Sequence, residues 1–238
     1  MNIEFSWPPP FTLRHSQRAR RVSLKLCPRR GLELVVPQRF NPAKSLQVLE
    51  EHRVWIERTW QKIQPQQINN NQLPLQINLD AINETWQIEY KTETIANRWL
   101  VIEKEKRIVV YGEINQQKLA KVLVHWLKQH ARKILLPWLQ SLSQQTGLSY
   151  KSASIRHVST LWGSCSIRKT ISLNCKLLFL PHDVVEYVLL HELCHTVHMN
   201  HAREFWNLLQ QFSPNSHALR RQLKQSDRLL PWWVEEDS

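Results

Sequence analysis

The chain has 238 residues, 42% of them hydrophobic and 22% charged, a balance that provides a buried core and excludes a disordered tail or a fibrous repeat. Only four glycines are present, so there is no glycine-rich phosphate loop, and the P-loop and dinucleotide-binding enzymes are excluded. Lysine and arginine outnumber aspartate and glutamate by 32 to 20, a formal charge of +12 that would attract a phosphate backbone or equally keep the protein soluble. No run approaches eighteen apolar residues, and Met1 to Trp7, followed by Pro8-Pro9-Pro10, has no basic stretch leading into an apolar one. Neither a membrane span nor a secretory signal is expected. Cys27, Cys165, Cys175 and Cys194 form no Cys-x-x-Cys pair, which suits a reducing, cytoplasmic setting.

In chain order, Val22, Leu24 and Leu26 alternate, and Leu32 to Val36 follows Pro28-Arg29-Arg30-Gly31, the pattern of a hairpin. The basic run Arg14, Arg18, Arg20 and Arg21 reads as its solvated lead-in rather than as a phosphate grip. Asn41-Pro42 supplies a cap and a first-turn proline for a helix over 42–62. The Gln- and Asn-rich stretch Gln64 to Pro74 reads as a linker or exposed loop. Leu75 to Leu79, Thr85 to Tyr90 and Arg107 to Tyr111 then read as a small antiparallel sheet closed by Gly112. A helix over 115–136 follows, with Pro137 kinking it or starting a second one that reaches Thr146-Gly147. Ser152 to His157 and Thr170 to Asn174 are short enough for strands and flank Trp162-Gly-Ser-Cys-Ser166.

The segment from Val184 to His201 carries the chemistry. His191 and His195 stand four positions apart, one above the other on a helical face, where two imidazoles reach a single ion. Glu192 lies about 100° round the helix from the first, beside such an ion rather than on it, placed to take a proton from a metal-activated water. A catalytic zinc needs a third protein ligand and an open position. His198 would extend the same stripe, but three side chains in a row converge poorly on one tetrahedral ion. His201 is the favoured ligand, because a turn at Met199-Asn200, where asparagine tolerates the left-handed conformation, returns it over the metal. The alternative, with His191, Glu192 and His195 as polar residues of a core helix, would leave a buried charge in need of a partner.

These residues resemble the YgjP-like metallopeptidases, a zincin group. The likeness rests on Trp162 to Ser166, the Ile-x-Leu-Asn strand Ile171 to Asn174, His-Glu-Leu-Cys-His at 191–195, Asn200-His201 and Phe205-Trp206, and it extends upstream to the Arg-rich hairpin and the Trp55-Ile56 helix. It implies zinc on His191, His195 and His201, Glu192 as general base, and peptide or protein substrates. The chain departs from the family pattern in two places. Leu161 replaces an arginine, and Ile167-Arg168-Lys169-Thr170 lacks an expected glycine.

The fold expected is α+β, a β-rich N-terminal half over 1–112 with one helix and a helical zincin-type half over 113–238, the zinc lying in a cleft between them. Tyr187, His198 and His157 are the candidates for the group that stabilises the oxyanion. Cys165 as a nucleophile and Cys194 as a fourth ligand are weaker readings than packing. Asp183 and Glu186 suit the positive end of the helix, Asn174 and Ser164 an edge strand open to an extended peptide, and Trp232-Trp233 either a groove cap or a tail anchor. The function expected is zinc-dependent peptide hydrolysis. The alternatives are a DNA-associated protease of SprT-like type, in which nucleic acid is a partner, and a non-catalytic module stabilised by its metal. A nitrogen-rich donor set also suits nickel, cobalt and copper.

Overall fold

The structure, a computed structural model, describes residues 7–17, 19–27, 31–67, 73–92, 98–113 and 115–234. It divides into two compact units, Met1–Gln72 and Leu73–Ser238.

In the first unit the expected hairpin forms from β2 (Ser23–Cys27) and β3 (Gly31–Pro37), paired antiparallel with Leu24 opposite Leu34. Gly31 takes φ +68°, a conformation open to a residue without a Cβ. A further strand, β1 (Phe11–Ser16), pairs parallel with β3. Its Arg14 is tied to Glu33 at 2.8 Å, whereas Arg20 and Arg21 are exposed just before β2; Arg18 lies outside the described residues. The Asn41 side chain accepts from the Ala43 amide at 3.0 Å and opens one 3₁₀ turn, Pro42–Lys44. The helix expected over 42–62 is in fact two, α1 (Ser45–Glu51) and α2 (Arg53–Gln67). His52 leaves helical geometry between them, its ring Nδ1 2.9 Å from the Val48 carbonyl, a local bond that competes with the ladder. Because glutamine is a good helix former, α2 runs into the expected linker, and only Ile68–Gln72 fall outside the described residues. Leu32, Leu49 and Ile56 are the buried core, flanked by Trp7, Phe11, Leu24 and Leu26.

The second unit starts with β4 (Gln76–Leu79), β5 (Glu84–Lys91), β6 (Arg98–Ile102) and β7 (Arg107–Tyr111), in the order β4-β5-β7-β6. The sheet is mixed, not antiparallel, because β5 and β7 run parallel. Two hairpins lie side by side here, each turning through a 3₁₀ turn and one left-handed residue, Asn83 (φ 52°) after Asp80–Ile82 and Lys106 (φ 49°) after Glu103–Glu105. Pairing their second strands makes those parallel. Next, α3 (Gln116–Thr146) is capped by Asn115, whose side chain accepts from the Lys118 amide at 2.9 Å, and it ends at left-handed Gly147. It passes through Pro137 as one helix. The proline and the Lys133 carbonyl it leaves unpaired sit on the exposed face, where water solvates the gap.

The buried face of α3, including Leu119, Leu123, Leu127, Ala131, Leu135 and Leu139, shares one core with Ile77, Trp86 and Ile108 of the sheet and with the later helices. The division drawn at 112/113 therefore falls inside the second unit. A three-stranded sheet follows, β8 (Ser152–Arg156), β9 (Gly163–Cys165) and β10 (Thr170–Asn174), in the order β8-β10-β9, with β9 on its edge and antiparallel to β10. The β9–β10 turn puts Lys169 at φ 57°. A lysine in the left-handed region costs roughly 1–2 kcal/mol. Beyond a 3₁₀ turn at Cys175–Phe179 come α4 (His182–Cys194), α5 (Arg203–Phe212) and α6 (Ser216–Leu223). The architecture is α+β, as expected. Trp232 and Trp233 lie buried in a final 3₁₀ turn, with Trp233 edge-on to Phe179 at 5.6 Å, so the pair anchors the tail. No helix among the described residues is long and apolar enough to cross a membrane.

Candidate metal centre

Helix α4 is apolar nearly all round, with Val184, Val185, Val188, Leu189, Leu190 and Leu193 buried, as befits a helix enclosed in a core. His191 and Glu192 stand in its last turn and His195 directly follows it. The helix does not continue to Met199. It tightens at once, with Thr196 N bonded to Leu193 O at 2.9 Å and Val197 N to Cys194 O at 3.0 Å. Nor does Asn200 adopt the left-handed conformation. Its side chain instead accepts from the Ala202 amide at 3.3 Å, and this Asx turn redirects the chain into α5. The result is the reversal expected, reached by a different backbone route.

The three imidazoles converge. His191 Nε2 lies 3.1 Å from His195 Nε2 and 3.0 Å from His201 Nε2, and these three residues form a group whose donor atoms could hold one metal ion. His195 Nδ1 is 2.9 Å from the His198 carbonyl oxygen; donating there leaves Nε2 with its lone pair toward the other two rings. Burial first, and then the neighbouring His195, His201 and Arg220, push the His191 pKa down to about 3, so the ring is a neutral donor. The all-nitrogen donor set fits zinc, and equally the other divalent metals that favour imidazole.

Phe205 of α5 is the floor under all three rings, its centroid 4.5 Å from His195 and 4.8 Å from both His191 and His201. Trp206 stacks on His201 at 5.6 Å and donates its Nε1–H to the His201 carbonyl at 3.0 Å. Phe205 and Trp206, which the sequence marked through the family resemblance, thus hold the third histidine in place.

Glu192 is 5% exposed. Burial pushes its carboxyl up to about 8, and its Oε2 is buried without a hydrogen-bond partner. A dication at the adjacent imidazoles would supply the opposite charge that an ionised carboxylate needs there. Glu192 is also pressed against β9. A Cβ built on Gly163 would stand 2.6 Å from Glu192 Oε1 and 2.7 Å from its Cγ, so only glycine leaves space for this side chain.

The segment 157–162 leading into β9 is held by Asn174, which is 3% exposed. Its amide Nδ2 donates to the Val158 and Leu161 carbonyls, both at 2.8 Å, and its Oδ1 accepts from the Lys176 amide at 3.1 Å. Replacing Asn174 with alanine is expected to cost about 2–4 kcal/mol, measured as a lower urea midpoint; an unchanged midpoint would show the loop to be held elsewhere.

Other residues singled out in the sequence have different fates. His157 Nε2 is bonded to the Val234 carbonyl at 2.7 Å. Tyr187 is buried, its ring 6.0 Å from His191. His198 contributes its carbonyl, and its ring is not in the ligand group. Cys194 is fully buried, its thiol pushed up to about 12 by burial, as packing requires. The half-buried Cys165 thiol is also raised, first by burial and then by Glu192, and so is no activated nucleophile. Asp183 is exposed and Glu186 half-buried on the first turns of α4. The site's residues come from β9, α4, the Asn200 turn, α5 and α6, all within the second unit. It is not a cleft between a β-rich half and a helical half, because the three-stranded sheet, not the N-terminal strands, supplies the β wall. Gly163 and Arg220 were not foreseen. The rarity of glycine in the chain was a signal for the first; nothing local marked the second.

A buried histidine helix with its acid held beside the triad is the construction of a metal-dependent hydrolase. The model of the YgjP-like metallopeptidase domain matches residues 20–226, most of the chain and both compact units, and the chain belongs to that family; it is a metallopeptidase. No curated protein matches the chain. Among solved structures it is similar to the metallopeptidase zymogen of Pyrococcus abyssi abylysin, at 20% identity and a TM-score of 0.36, over 39% of this chain and 94% of that one.

Proposed function

We propose that the protein is a zinc-dependent peptidase in which His191, His195 and His201 hold the ion and Glu192 is the general base. The observation that carries the reading is the convergence of three Nε2 atoms beside a buried carboxyl that touches none of them in any hydrogen bond. Zinc, when bound, supplies a Lewis acid that brings the pKa of a water toward about 7 and polarises a carbonyl. Glu192 takes the water's proton and passes it to the leaving amine, a transfer suited to a carboxyl whose apolar surroundings raise its proton affinity. Phe205 and Trp206 keep the rings from rotating away, and β9, the edge strand of its sheet among the described residues, offers backbone groups to an extended substrate.

Metal analysis of the purified protein, paired with a broad peptide-cleavage screen, tests this. One zinc per chain is expected, with cleavage lost on chelation and restored by zinc. Stoichiometric zinc with no hydrolysis of any peptide, and unfolding on chelation, would replace the reading by a metal-stabilised binding module.

A further inference from the structure

Water attack on an amide places negative charge on the carbonyl oxygen, and a site of this kind needs a donor aimed at it. Of the three groups expected for that task, His157 is bonded to the Val234 carbonyl, Tyr187 is buried with its ring 6.0 Å from that of His191, and His198 offers its backbone carbonyl to His195.

One cation does stand at the triad. Arg220, on α6, lays its guanidinium over the Trp206 ring, with Cζ 4.8 Å from the centroid. The same ring stacks on His201 at 5.6 Å and lies 6.3 Å from His191. The arginine is therefore held one aromatic ring away from two of the three donors. It makes no ion pair with any carboxylate among the described residues, and it is exposed, so its donors are available to a ligand. A guanidinium held by an aromatic face and unpaired with an acid is a fitting anchor for an oxyanion.

We propose that Arg220 is the anion-anchoring residue of this site, the group that meets the negative oxygen of the substrate as it forms. The proposal rests on the triad holding a metal and deepens the peptidase reading by giving the reaction its electrophilic residue. Arg221, next in sequence and also exposed, carries the same charge but lies over no ring of the site, and is the control for bulk electrostatics.

The test uses cobalt(II)-loaded protein and inorganic phosphate as the probe, its binding followed in the visible cobalt bands at constant ionic strength. Arg220→Met keeps a long stem over Trp206 and removes the charge; it is expected to weaken phosphate by about tenfold or more, while Arg221→Met stays within about twofold. Arg220→Lys should fall between. In turnover of any peptide found by the screen, Arg220→Met should lower kcat by about 10²–10³-fold and leave KM within about threefold. Wild-type phosphate affinity in Arg220→Met, or equal losses in the Arg220 and Arg221 variants, would overturn the proposal even in an active peptidase. A selective loss in a protein that cleaves no peptide would leave Arg220 as the anchor and remove the peptidase reading instead.

Discussion

Glu192→Gln is expected to retain wild-type metal content and to lose peptide turnover by on the order of 10²–10⁴-fold. The substitution conserves volume in a position that is 5% exposed and packed on Gly163, so the fold and the three imidazoles have no reason to move. What changes is the proton. A carboxylate takes up the water's proton and gives it to the leaving amine, and an amide does neither. Because Glu192 lies beside the ligand group and not within it, affinity for the metal should be unaffected. Full activity in a metal-loaded Gln variant would remove Glu192 from the mechanism, and loss of the metal would make it a ligand.

Gly163→Ala should give the second-largest effect. The added methyl would occupy a point 2.6 Å from Oε1, 2.7 Å from Cγ and 2.8 Å from Cδ of Glu192, well inside van der Waals contact. With the strand paired to β10 through Gly163 and Leu173, the carboxyl and not the backbone is the part that yields. A carboxyl moved by an ångström costs about 10–100-fold in kcat, and the overpacking costs about 1–3 kcal/mol of stability. The two residues form a contact pair, so the stability penalty of Gly163→Ala should largely vanish in a Glu192→Ala background, where the clashing side chain is absent. An equal penalty in both backgrounds would mean that Gly163 serves the strand and not the carboxyl.

The elements legible in the sequence were those whose signal is local. The cap at Asn41, the amphipathic stripe of α3 and the alternation of β2 and β5 were read from local pattern, and the His191–His195 spacing does bring the two rings together. The errors fall where pairing is distant. Strand β1 carries little apolar alternation of its own and exists by joining β3 about twenty residues later. The parallel contact of β5 with β7 depends on β6 folding to the outside, which no local pattern specifies. The break at His52 came from one side-chain bond to Val48, and the turn at Asn200 from a capping amide rather than a left-handed backbone. Both conformations are open to these residue types, and neighbouring structure chose between them.

The sequence by itself determined that His191 and His195 stand together with Glu192 beside them, since a four-residue spacing on an α-helix places two side chains together whatever surrounds them. Only the tertiary structure decided that Gly163 packs on Glu192 from 29 residues upstream and that Arg220 lies over Trp206, the ring that stacks on His201. The intervals between these residues contain turns whose directions are set by burial of the whole core, so which side chains meet follows from packing and not from spacing along the chain.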